Sequence, residues 1–184
     1  MQKLVGSAVT EALRDGGGEA IRLYVATCAE RMAPLFVGLR AGEPGREADR
    51  DFYVECVRDL WQADRPLADA TAGVRRLERF WELQPNEEGI TAVADVYAFF
   101  AALCLRYAMS AHGSGRLDDA VSCGHVALTA MGMLDENVVG ASFLADEHRL
   151  QSLSLSGDVS GLWDASVTAG RERFRAVLGH LIRG

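Results

Sequence analysis

The sequence predicts an all-α fold: a single compact domain over residues 1–184, built as a bundle of about seven or eight helices around a central buried helix at 90–111. That stretch is apolar on nearly every side and long enough to cross a whole domain. Elsewhere the apolar residues recur at the spacing of one helix face, and no Asn-Gly turn joins alternating runs as in a β-hairpin. A soluble chain can hide such a central helix only by surrounding it with amphipathic helices.

The central helix carries four polar residues inside its apolar stretch: Thr91, Asp95, Arg106 and Ser110. At helical periodicity they lie within about 100° of arc, so only a thin stripe contacts water or polar partners. Asp95 and Arg106 are about 16 Å apart along the axis, so we expect each to contact a neighbouring helix instead of the other. These charges interrupt the apolar run and no basic excess flanks it, which argues against a membrane span.

The N-terminal part of the chain divides at a run of three glycines. Residues 2–14 show an amphipathic pattern, and the glycines at 16–18 should end it because glycine is costly inside a helix. This pattern predicts a separate N-terminal helix at the periphery of the domain. In the next helix, over 19–42, Pro34 removes the backbone bond to the carbonyl of Glu30 and predicts a kink.

The helix predicted over 46–63 has a core side that consists of Phe52, Cys56, Val57, Leu60 and Trp61. Its other side carries like charges at intervals of four residues, here called the acidic row: Glu47, Asp51, Glu55 and Asp59. Each like-charged pair costs about 0.2–0.5 kcal/mol. The row is therefore either a solvated surface or the edge of an interface with a basic partner. In the second case Tyr53 and Trp61 would supply its aromatic anchors.

The remaining helices are predicted from apolar periodicity and turn residues. One runs over 64–83, with Pro66 in its first turn, where the missing N–H is harmless. The others cover 116–134, 138–153 and 160–184. Small residues on the apolar side of 116–134 allow a neighbouring helix to approach closely.

The charge balance limits the classes of partner. The formal net charge is −7, which disfavours nucleic acid and anionic membrane surfaces as partners and suits a protein with a basic surface. The first twenty residues lack a long apolar segment, so we expect a cytoplasmic protein.

No cofactor or metal site is expected. The four cysteines are far apart, each among apolar helical residues, and are predicted to be buried thiols in a reducing compartment: Cys28, Cys56, Cys104 and Cys123. Cys123 and His125 are two positions apart and point in different directions on a helix. No sequence feature predicts a lowered thiol pKa. The glycines at 16–18 lack the Lys of a phosphate-binding loop.

The pair Glu30-Arg31 precedes Pro34 and is a candidate structural polar site, together with Asp95 and Arg106. We expect Arg31 to act as an internal strut, because a charge is rarely buried without a partner. Its partners would be backbone carbonyls or the carboxylates of Asp146 and Glu147.

Two stretches carry a family resemblance. Residues 28–31, Cys-Ala-Glu-Arg, followed by Pro-Leu-Phe at 34–36, resemble a signature of the YjaG-like uncharacterised helical bacterial proteins and of related immunity families in polymorphic-toxin systems. Leu60-Trp61 and the Glu/Gln segment 147–151 lie where those proteins also have a tryptophan and a late helix. The resemblance implies a helical bundle without established enzymatic activity and, for the immunity branch, a protein that binds and blocks a cognate toxin.

A second resemblance is narrower. Five residues are spaced like the second helix of a tetratricopeptide repeat: Gly115, Leu117, Ala120, Gly124 and Ala127. No second copy follows, and one unit cannot form a solenoid.

Three functions follow as hypotheses. The first is a non-enzymatic protein-binding module, most concretely an immunity-type protein that neutralises a toxin by occlusion. The second is a small enzyme that uses Glu30, Asp95 or a histidine, which requires polar groups converging in a pocket inside the bundle. The third is a tetratricopeptide-like adaptor. The sequence leaves the partner, the binding face and the oligomeric state open, including a homo-oligomer.

Overall fold

The computed structural model describes residues 4–85 and 89–183, and over these ranges the chain forms seven α-helices, one 3-10 turn and no β-strand. The predicted all-α class is confirmed. The helices are α1 (Ser7–Val37), α2 (Glu47–Leu60), α3 (Ala70–Leu77), α4 (Val93–Ser114), α5 (Leu117–Asn137), α6 (Phe143–Leu153) and α7 (Val159–Arg183), and the 3-10 turn is Trp81–Leu83.

Helix α4 is the central helix, as predicted, although it begins at Val93 and continues to Ser114. It packs mainly against α1, α5 and α3, and its small residues let those neighbours approach closely. Gly115 ends the helix in the left-handed conformation, at φ +69°, and its N–H bonds to the carbonyl of Ala111. Among the described residues α4 is also the one helix long and apolar enough to cross a membrane, but its packing fits the core helix of a soluble bundle.

Helix α1 bends at Gly17 and not at Pro34. Gly17 adopts φ 65° and ψ −154°, the one non-helical conformation inside α1, so the glycine run divides the segment as the sequence predicts. The predicted kink at Pro34 is wrong, because Pro34 lies in the last turn and its own carbonyl still accepts a bond from the N–H of Gly38. Before the bend, Val9 and Leu13 are buried and belong to the hydrophobic core.

The predicted helix over 64–83 is wrong in extent, because only Ala70–Leu77 is helical. Pro66 has no N–H, and the N–H of Leu67 donates to Nδ1 of His112 at 3.2 Å instead of joining a helical ladder. At the other end, Phe80 is extended, with ψ 139°, and the chain continues as the short 3-10 turn. A tertiary hydrogen bond therefore replaces local helix formation at the start of this segment.

The last two helices close the bundle over α1 and α5. Asp135 caps α6, since its carboxylate accepts the N–H groups of Phe143 and Leu144 at 2.8 and 3.0 Å. Helix α7 packs chiefly against α1. Gly170 permits this close approach: a Cβ built there would lie 3.1 Å from the carbonyl oxygen of Arg31.

Candidate functional site

The acidic row lies on the outer surface of α2. Glu47, Asp51 and Glu55 are exposed, and Asp59 is half-buried beside Arg58, whose Nε is 3.3 Å from the Asp59 carboxylate. An exposed ion pair of this kind contributes about 0–1 kcal/mol. Most of the row's negative charge therefore faces solvent without a cation held against it.

Tyr53 is not part of this surface, so its proposed role as a partner anchor is wrong. Its side chain is 0% exposed, its hydroxyl donates to the carbonyl of Ala101 at 3.0 Å, and its ring stacks on Phe36 with centroids 4.6 Å apart. The spacing indicates this burial, because Tyr53 precedes the buried residues Cys56, Val57 and Leu60 by three, four and seven positions and so lies on the same helix face.

Trp61 does lie at the surface, in a groove between α1, α2 and the start of α7. The groove has a volume of about 770 Å³ and is here called the tryptophan groove; its lining is Glu30, Ala33, Val54, Val57, Arg58, Trp61, Val159, Ser160 and Trp163. Val54, Val159 and Trp163 are 50%, 52% and 47% exposed. Large apolar side chains gathered at one exposed site are typical of an interaction surface.

Glu30 is the acidic group of the tryptophan groove. It is half-buried, and one of its carboxylate oxygens accepts the indole N–H of Trp61 at 2.9 Å. Burial raises the pKa of Glu30, and the bond from Trp61 offsets part of that rise. No Arg or His among the described residues forms an ion pair with it. The groove therefore contains a partly desolvated carboxylate that forms no ion pair with a described residue, because Arg58, which also lines the groove, pairs with Asp59.

Arg31, the neighbour of Glu30, points the other way and forms the predicted internal strut. Its Nε and Nη2 donate to the two carboxylate oxygens of Glu147 at 2.9 and 2.8 Å, and all three groups are buried. Arg173 of α7 donates to the same carboxylate at 2.5 Å. Burial alone would raise the pKa of Glu147, but the two guanidinium charges hold it at about 2.

This buried ion network extends through two further groups that the sequence did not single out. Gln151 donates to Glu147 at 2.8 Å and accepts the hydroxyl of Tyr24 at 2.9 Å. The network joins α1, α6 and α7, and most of its polar groups form hydrogen bonds with one another. The tertiary fold brings them together from distant parts of the sequence, so no local spacing marks them as a set.

The other two candidate structural residues also meet neighbouring elements, as expected. Asp95 accepts from Arg40 at 2.9 Å, and Arg106 lies 2.8 Å from Glu78. Arg40, which no sequence pattern marks as buried, is fully buried and also donates to Glu82 at 2.7 Å. Burial would raise the pKa of Glu82, but bonds from Arg46 and Arg40 lower it. These contacts fasten the end of α1 to the start of α4.

All four thiols are buried and form no disulfide, so their predicted burial is confirmed. The structure adds that Cys104 and Cys123 are in contact, with their sulfurs 3.5 Å apart, and that Cys28 accepts a bond from Arg31 at 3.3 Å. Burial raises the pKa of Cys56, which lies apart from the others, to about 12. Within residues 4–85 and 89–183, no three His, Cys, Asp or Glu side chains are arranged to hold a metal ion.

A second cleft of about 680 Å³ lies between α2 and α3, on the other side of the acidic row from the tryptophan groove. Glu55 and Asp59 reach it, and Arg76 covers the ring of Phe52 at 3.9 Å. Asp69 lines the cleft as well, and burial raises the pKa of its one thiol, Cys56.

No family model, curated protein or solved structure matches this chain. The resemblance carried by residues 28–36 therefore stays an expectation from those residues.

Proposed function

We propose that this protein is a non-enzymatic protein-binding module and that it binds a basic segment of its partner on the α2 face, meaning the acidic row and the tryptophan groove together. The observation that carries the proposal is Glu30: a half-buried carboxylate that forms no ion pair with a described residue, in a groove that two tryptophans also line. An arginine or lysine of a partner would complete the pair that the folded chain leaves incomplete.

The groove is chemically suited to such a side chain. A guanidinium entering it can form a charge-assisted bond with Glu30 while its methylenes pack on the valines. Trp61 and Trp163 line the same groove, and a cation over the face of a tryptophan ring gains about 0.5–2 kcal/mol. Tryptophan is also enriched among the residues that contribute most to protein interfaces.

The acidic row supports the same partner through longer-range attraction. Exposed charges of one sign next to a binding groove increase the association rate with an oppositely charged protein, and this effect weakens with added salt. A basic partner also offsets the mutual repulsion of the four acids. The partner chemistry is therefore an apolar segment that carries positive charge.

The more specific form of the proposal is an immunity-type role in the cytoplasm, in which the α2 face covers a basic surface of a toxin that binds nucleic acid or another substrate. The family resemblance and the negative charge support this form. An enzyme is less well supported, because the buried polar groups bond to one another instead of converging on a cavity. A tetratricopeptide-like adaptor would share the protein-binding role, but its argument rests on α4–α5 spacing alone.

The test is selection of displayed random peptides on the folded protein. We expect the selected peptides to contain Arg or Lys beside apolar residues. Replacing the Arg of such a peptide by citrulline should weaken its binding affinity about tenfold or more, because a charge-assisted bond of about 1.5–3 kcal/mol is lost. Glu30→Gln and Trp163→Ala should each weaken binding. Asp51→Lys with Glu55→Lys should lower the association rate and its dependence on salt.

The matched control is Glu11→Lys with Glu172→Lys, which makes the same change in net charge at exposed positions outside the α2 face. This control should keep its affinity. Peptides that bind equally well to Glu30→Gln, Trp163→Ala and the Asp51/Glu55 variant would place the interface elsewhere. Co-expression with toxic domains encoded beside the gene then tests the immunity role, with restored growth as the expected result.

A further inference from the structure

The buried ion network contains an unbalanced positive charge. Arg31 and Arg173 are both 1% exposed and share one carboxylate, Glu147, which is 0% exposed. Guanidinium groups stay protonated in proteins, so two positive charges face one negative charge in the interior. An uncompensated buried charge is strongly destabilising. In addition, Nη1 of Arg173 is buried and forms no hydrogen bond.

The only other groups in the network that can ionise are one tyrosine and the thiols beside it. Tyr24 donates its hydroxyl proton to Gln151, and burial raises its pKa, so it stays neutral. Cys28 is different, because Nη2 of Arg31 donates to its sulfur at 3.3 Å. A sulfur that accepts from a guanidinium is well placed to carry the missing negative charge.

Two further buried thiols lie near Cys28, and their sulfurs contact each other. Cys123 is near enough to Cys28 to lower the Cys28 pKa, and the Cys123 sulfur is 3.5 Å from that of Cys104. These thiols come from α1, α5 and α4, and all three are 0% exposed. A sulfur that accepts from Arg31 therefore has a second thiol nearby, as an attacking thiolate has a resolving thiol.

We propose that Cys28 is a thiolate that balances Arg31 and Arg173, and that Cys28 and Cys123 form a redox modification site that hydroperoxides convert into a disulfide. Burial raises the pKa of Cys28, but Cys123 and the charges of Arg31 and Arg173 lower it below its ordinary value. Burial and the neighbouring thiols raise the pKa of Cys123. The two directions match one ionised and one protonated sulfur.

The chemistry balances with hydrogen peroxide as the oxidant. The Cys28 thiolate attacks one peroxide oxygen, the O–O bond breaks, and the released hydroxide takes a proton from solvent to leave as water. Cys28 is then a sulfenic acid. The Cys123 sulfur attacks it, the S–O bond breaks, and the oxygen leaves with the Cys123 proton as a second water. The two thiols have together given two electrons to the peroxide.

Groups on every surrounding helix face this site and contribute to its titration. They are Tyr24 and Arg31 on α1, Cys104 on α4, Cys123 on α5, Glu147 on α6 and Arg173 on α7. Glu147 opposes the thiolate and the two arginines favour it. Because the site is closed to solvent, peroxide reaches it through local separation of the helices, whereas bulky thiol reagents are excluded.

The first measurement is thiolate absorbance at 240 nm as the pH of the full-length protein is lowered from 8 to 5. We expect an absorbance equivalent to about one thiolate at pH 7, where an ordinary thiol with a pKa of about 8.5 contributes little. This absorbance should disappear in Cys28→Ser and persist in Cys56→Ser, the control for a separate buried thiol. If Cys28→Ser does not fold, the wild-type amplitude decides: no thiolate at pH 7 overturns the proposal.

The second measurement is oxidation by hydrogen peroxide, followed by thiol counting in denaturant and peptide mapping without reductant. We expect two of the four thiols to be lost and a Cys28–Cys123 link to be found, with reductant restoring both. Cys123→Ser should stop at a sulfenic acid that a dimedone probe traps. A link that omits Cys28, or loss of Cys56 as fast as Cys28, would overturn the assignment.

Discussion

Replacing Glu147 by Gln should lower the free energy of unfolding more than any other isosteric substitution in the interior. The substitution keeps the shape of the side chain and removes the single negative charge that Arg31 and Arg173 share. Removing one partner of a buried ion pair destabilises a protein by about 3–5 kcal/mol. The pKa of about 2 at Glu147, compared with an ordinary 4.5, gives an independent figure of about 3 kcal/mol.

Urea unfolding followed by circular dichroism at 222 nm measures this loss. With a slope of about 2–3 kcal/mol per molar urea, a loss of about 3–5 kcal/mol lowers the midpoint by about 1–2 M. The double variant Glu147→Gln/Arg173→Met should recover part of the loss, because it removes one of the two unpaired cations. A midpoint within 0.3 M of wild type, or a double variant less stable than Glu147→Gln, would refute the electrostatic reasoning.

Three further predictions concern other buried groups. Gly124→Ala places a methyl group against the Tyr24 hydroxyl, so we expect thermal and urea scans to show a loss of about 1–3 kcal/mol despite the better helix propensity of Ala. Tyr53→Phe should lose about 0.5–1.5 kcal/mol in the same scans and leave peptide binding unchanged; weaker binding would restore Tyr53 to the interface. His112 accepts one backbone N–H, and burial lowers its pKa to about 4, so as the pH falls the unfolded chain binds the proton before the folded chain does. The free energy of unfolding should therefore decrease as the pH is lowered from 6.5 to 4, and His112→Asn should lack this contribution to the decrease.

Helix positions were predictable where the apolar pattern was strong and uninterrupted. The central helix and the burial of all four cysteines follow from such patterns. The helix predicted over 64–83 is too long because the N–H of Leu67 bonds to His112, a partner more than forty positions away that local helix propensity does not reveal. Pro34 predicts a kink because it lacks an N–H, but it lies in the last turn of α1, so little of the helix follows it that a kink could redirect.

The candidate site was predictable only in part. The acidic row could be read from its spacing, and its position on the outer surface of α2 agrees with that pattern. The tryptophan groove could not, because Trp61 and Trp163 are about a hundred residues apart and meet only when α7 lies against α1 and α2. The predicted core side of α2 includes Phe52 and Trp61, whereas the buried residues are Tyr53, Cys56, Val57 and Leu60, so the true core side is rotated toward Tyr53.

The packing of α7 against α1 has a consequence for synthesis on the ribosome. The helix that α1 needs as its neighbour is made roughly 120 residues later, on the order of ten seconds at about 5–20 residues per second. Until then Arg31 and Cys28 lie on a nascent helix whose final cover is missing. The interior of the bundle is therefore open to water, chaperones and oxidants during translation, and it closes only as the last helix leaves the exit tunnel.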